Sequence, residues 1–166
     1  MGELKRIISQ LKGAYNGDAW YGPPIKKILS DISAEQAAKS PGPDVHSIWE
    51  ILLHMKAWNG AVYQRLIDNY VALPLEGDWP TIPEFNEAAW QQTLQQFDEG
   101  YHQMLDLIAQ MDESRLKDLL GDTRNRETIR YFQPTRCLYT YTASRNLHSI
   151  FGHDGNTWNS ISGLRQ

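Results

Sequence analysis

The stretch from Thr81 to Met111 reads TIPEFNEAAWQQTLQQFDEGYHQMLDLIAQM, and its spacing decides the fold class. Trp90, Leu94, Phe97, Tyr101, Met104, Ile108 and Met111 recur every three or four residues, so they form one stripe along a helix. Thr81-Ile82-Pro83-Glu84 fits a capping box, and the spacing predicts a helix over 84–111.

Upstream, Ile48, Ile51, Leu52, Met55, Trp58, Val62 and Leu66 give a second stripe and predict a helix over 45–67. The connection between the two, 68–81, holds Pro74, Gly77, Asp78 and Pro80. Connections this long inside a small domain are functional, or they cross from one end of a bundle to the other. Leu4, Ile7, Ile8 and Leu11 mark an N-terminal helix. Ile25, Ile28 and Leu29 mark a short one opened by Pro24, and Ser40-Pro41-Gly42-Pro43 is a break. Leu147, Ile150, Trp158, Ile161 and Leu164 predict a last helix over 141–164, although Gly152 and Gly155 inside it each cost about 1 kcal/mol relative to Ala. The segment 121–135 carries no helical stripe and reads as loop. The runs 128–132 and 137–142 have β propensity but are too isolated to make a sheet. The expected architecture is all-α: a single domain over 1–166, built as a four-helix bundle with a long connection between its second and third long helices.

Charge narrows the function classes. Among 166 residues, 16 Lys and Arg face 20 Asp and Glu, a net charge of −4, so no basic field exists to hold nucleic acid or an anionic membrane. A hydrophobic content of 41% argues against disorder. The lone cysteine, Cys137, excludes an internal disulfide framework and a multi-cysteine zinc site, and it has no evident activating neighbour. The N-terminus lacks the apolar run of a signal peptide, and no stretch approaches 18 uninterrupted apolar residues. A cytoplasmic protein is expected.

No phosphate loop, nucleophile elbow or Cys/His zinc spacing occurs, so the histidines carry the lead. His46 and His54, eight apart on one predicted helix, face about 80° apart. His54 lies at the edge of the stripe of Ile51, Met55 and Trp58. His102 reads as an edge residue, and His153 points near the core side of the last helix. Histidines facing inward from two helices are how bundles assemble metal sites, whereas an inward His alone is normally satisfied by a neighbouring polar group. Glu50 precedes His54 by one turn; its carboxylate either joins His54 or stays solvated. Trp90 and Tyr101 are explained by the core stripe, whereas Trp20 and Trp79 fall in loops and could line a small-molecule pocket.

Three stretches resemble the DinB/YfiT-like superfamily: Asp18 to Leu29, His46 to Trp58, and Leu147 to Asp154, with Gly77-Asp78-Trp79-Pro80 between the second and third. The resemblance spans nearly the whole chain, and the second stretch is its most specific part. It implies a four-helix bundle, commonly dimeric, with a divalent metal such as zinc or nickel held by three histidines. One sits on the second long helix and two sit four apart on the last. His54 matches the first ligand and His153 the second. Thr157 stands in the third position, where a neutral hydroxyl is a poor ligand for zinc or nickel. Some members are thiol S-transferases, so the resemblance implies a metal-dependent enzyme with a degenerate site, Glu50 being a possible substitute ligand. The alternative is a non-catalytic small-molecule-binding or dimeric interaction protein that has lost the metal. Unless the Glu50 carboxylate turns inward and rescues metal binding, the space that Thr157 faces is expected to hold water or an unrelated ligand bounded by Trp58 and Trp158.

Overall fold

The computed structural model describes residues 2–17, 23–43, 45–69, 73–120 and 127–128. Three long helices dominate: α1 (Glu3–Asn16), α4 (Ile48–Asp68) and α5 (Glu87–Gln110). Two short ones, α2 (Ile25–Leu29) and α3 (Ala34–Ala38), lie between α1 and α4, and a single 3-10 turn, Glu113–Lys117, follows α5. The predicted last helix over 141–164 lies outside the described residues. The protein is therefore of the helical class. The departures among the described residues are a two-residue antiparallel pair, β1 (Leu119–Leu120) with β2 (Glu127–Thr128), and an isolated antiparallel bridge between Gly42 and Val45. The second strand of the pair falls within the segment that the sequence assigns to loop.

Helix ends follow local capping chemistry. α4 starts at Ile48, three residues later than the stripe suggests, because Ser47 and Glu50 form a reciprocal capping box. Ser33 and Gln36 do the same for α3. The box expected at Thr81–Glu84 is not used. Asn86 caps α5 instead, its side-chain oxygen accepting the Ala89 N–H at 2.8 Å. The next residue, Glu87, places a carboxylate in the positive first turn and accepts the Ala34 N–H at 2.9 Å, tying α5 to α3.

The pairings between α4 and α5 set the topology. Trp49 donates to Thr93, Lys56 to Gln96, and Asn59 lies against Gly100. Both helices advance together, so they run parallel, and the chain between them must travel the length of the bundle to start α5 at the same end. This is the crossover that the length of 68–81 suggested. α1 runs the other way. Its first turns, Leu4 and Ile7, pack with Leu66, Met104 and Ile108, while Tyr15 near its end packs with Phe97 and Tyr101.

The core has two parts. The larger surrounds Trp49 and Trp90, both fully buried, with ring centroids 5.2 Å apart in an edge arrangement. Each indole N–H is satisfied, Trp49 on Thr93 at 3.1 Å and Trp90 on the Ile32 carbonyl at 2.7 Å, which makes such deep burial affordable. The smaller part gathers Leu4, Ile7, Val62, Leu66, Met104, Ile108 and Leu116 at the other end. No helix among the described residues is long and apolar enough to cross a membrane.

Candidate functional site

Once it leaves α4, the crossover folds back over that helix. Pro74 to Gly77 closes a turn through the Gly77 N–H to Pro74 carbonyl bond at 3.0 Å. Gly77 then adopts φ +86, a left-handed conformation that favours glycine. Asp78 and Trp79 follow at once, and they meet His54.

The His54 ring is held on two sides. Its Nδ1 lies 2.6 Å from the Asp78 carbonyl oxygen. A carbonyl only accepts, so Nδ1 carries a proton, and in the neutral ring the lone pair is on Nε2. Trp79 stacks on the same imidazole with centroids 4.1 Å apart and planes 18° apart. The ring keeps about a quarter of its surface exposed, its side chain being 25% accessible.

Neighbours extend this arrangement. Trp58, one turn after His54, donates its indole N–H to the Asp78 carboxylate at 2.5 Å. The Arg65 guanidinium lies 5.4 Å from the Trp58 ring, in cation–π range, and Arg65 is only 2% exposed. Lys56 reaches Glu76 at 3.3 Å, so the crossover is pinned to α4 by charged contacts as well as by ring stacking.

His46 lies just before the N-cap of α4, so its angle to His54 is not that of two residues on one helix. Trp79 brings the two imidazoles into one group: His46 stacks on it with centroids 3.6 Å apart and planes 6° apart. Glu50 reaches back to the helix start. Its Oε2 accepts the Ser47 N–H at 2.7 Å and stands 3.7 Å from His46 Nδ1. Burial pushes its carboxyl up, but the Ser47 bonds and the His46 charge outweigh that and hold it below the usual glutamate range. The capping box thus engages the carboxylate considered as a substitute ligand. The motif Ser47-x-x-Glu50 was the sequence signal for this role.

His148, His153, Thr157 and Trp158 lie outside the described residues, as do Trp20 and Cys137. Among the described residues, no group of three or more His, Cys, Asp or Glu is placed to hold a metal ion. His54 itself fits a ligand. Metal-bound histidines are oriented by an acceptor on the other ring nitrogen, and the Asp78 carbonyl is such an acceptor.

Neither the curated proteins nor the solved structures include a match to this chain. A family profile does match, over residues 25–148, a range that takes in α2 to α5, His54 and the whole crossover and stops before His153. That range is well over half of the 166 residues, and the chain belongs to the DinB superfamily.

Proposed function

We propose that this protein is a cytoplasmic metal-dependent enzyme of the transferase type, with His54 as one ligand of a divalent ion and His153 as another. The observation that supports this reading is the orientation of His54: the Asp78 carbonyl accepts from Nδ1, so Nε2 is the atom that the neutral ring offers as a ligand. Trp79 restrains the ring against rotation, which lowers the entropy lost when a ligand is captured. An ion held by His54 and His153 would supply Lewis acidity toward a bound thiol or water. Thr157 in the third position makes the set weaker than three imidazoles.

The test is the metal content of protein purified without chelator or affinity tag, beside His54→Ala. A divalent ion in the wild type that is lost in the variant supports the reading. Equal metal in both would remove His54 from the ligand set, and none in the wild type at micromolar zinc or nickel would leave the non-catalytic binding or interaction protein that has lost the metal.

We also propose a homodimer. The crossover and its junction with α5 expose Leu73, Leu75 and Phe85, apolar side chains that a second copy would cover.

A further inference from the structure

A cleft of about 630 Å³ opens between the last turn of α1, the short α2 and the first half of α5. That volume is within the range of small-molecule sites. Ile25, Leu29, Leu94 and Phe97 give it apolar walls, and neutral carboxamides stand among its lining residues. Its charged groups converge on Asp98. One carboxylate oxygen, Oδ1, accepts from the Tyr15 hydroxyl and from Lys26 Nζ at 3.0 Å. The other, Oδ2, faces His102 Nε2 at 3.7 Å.

The two partners on Oδ1 differ in kind. Tyr15 is 5% exposed and stacks on Tyr101 with centroids 3.7 Å apart, so its hydroxyl is a fixed donor that orients the carboxylate. Lys26 has a side chain 59% exposed on a flexible stem, and pairs of that exposure hold weakly. Its ammonium also lies 5.8 Å from the Tyr15 ring centroid. One ammonium group therefore rests on an oriented carboxylate and near an aromatic face, beside an apolar trough that the lysine stem does not fill. A ligand with the same head and a longer apolar body would gain the trough as well. An anionic head would gain Lys26 but stand beside the Asp98 carboxylate, a like-charge contact that opposes binding.

We propose that this cleft is a binding site for a primary amine carrying an apolar chain or ring, anchored by Asp98, and that Lys26 is an internal competitor for the same carboxylate. It is assembled from α1, α2 and α5 and uses none of the residues around His54.

The probe is hexylamine, titrated into the full chain by calorimetry, with hexanol and hexanoate as neutral and charge-reversed controls. Hexylamine is expected to bind at least roughly tenfold more tightly than either control. Lys26→Ala, an exposed change, is expected to tighten hexylamine binding about two- to fivefold by removing the competitor. Asp98→Asn is expected to abolish the preference for the amine, with a circular dichroism melt to establish that the variant is folded. Hexanoate binding at least as well as hexylamine, hexylamine binding no better than hexanol, or Lys26→Ala leaving affinity unchanged or weaker would each overturn the proposal. The Lys26 result decides even if Asp98→Asn fails to fold.

Discussion

His54 and Glu50 lie one turn apart and do different work, and the difference comes from what each side chain can reach. Glu50 is three residues from Ser47, the spacing at which a carboxylate returns to the N-cap N–H, so it is taken by the helix start. Glu50→Ala should cost about 0.3–1 kcal/mol of stability in a denaturant titration, the scale of a first-turn acidic residue, and leave metal content unchanged. His54 lies beyond that reach and meets the crossover instead. Helical spacing was enough to place His54 at the edge of an apolar stripe. Its partners were not legible, because Asp78 and Trp79 come from a segment whose path is set by a turn and by one left-handed glycine. Tyr101 offers a separate test. Its hydroxyl is buried without a hydrogen-bond partner among the described residues. Burial first, and then the nearby Asp98 charge, push its phenol up to about 12. An unsatisfied buried hydroxyl gains nothing from being polar, so Tyr101→Phe should be neutral or stabilise by up to about 1 kcal/mol at neutral pH.

Among the elements, α4 and α5 were the most legible, because their apolar stripes are long and regular. Their starts were less so. A capping box could be drawn at Thr81–Glu84, but Asn86 caps the helix, and Glu87 in its first turn gains a bond to the Ala34 backbone that a start at Glu84 would not place there. The crossover was recognised by its length and its Pro and Gly content, while its role as the wall over His54 depends on contacts distant in sequence. Gly77 tests that role. Its φ of +86 is strained for any side chain, although an added Cβ would meet nothing within 4 Å. Gly77→Ala should therefore cost about 1–2 kcal/mol through backbone conformation alone. It should also loosen Trp79 from His54, which Trp fluorescence would report as greater solvent exposure. An unchanged melting curve would mean that the turn does not depend on this conformation.

At the scale of the whole molecule, the parallel pairing of α4 and α5 makes the crossover obligatory, and the crossover carries both the cover over His54 and exposed apolar side chains. Light scattering at micromolar concentration should give twice the monomer mass. Leu73→Asp with Leu75→Asp should shift it toward monomer, and a monomeric wild type would remove the dimer. Stability should also fall at alkaline pH. Burial first, and then the bond and charge of Asp98, raise the Tyr15 phenol well above its ordinary value, and Tyr101 is raised as well. Unfolded tyrosines lose their protons near pH ~10 while these two keep theirs in the fold. The native state then binds more protons than the unfolded one, so their contribution is complete below pH ~10 and is lost as pH rises toward the folded values. Tyr101→Phe should flatten this loss relative to the wild type.

The most direct test of the account is a zinc titration by calorimetry on untagged protein, comparing wild type, His54→Ala, Thr157→His and the double variant. If His54 ligates through Nε2 and Thr157 stands in a ligand position, the wild type binds one equivalent. Thr157→His then tightens binding by at least roughly tenfold, and His54→Ala abolishes it in either background. Zinc that binds equally well without His54, or a Thr157→His variant no tighter than the wild type, would contradict it.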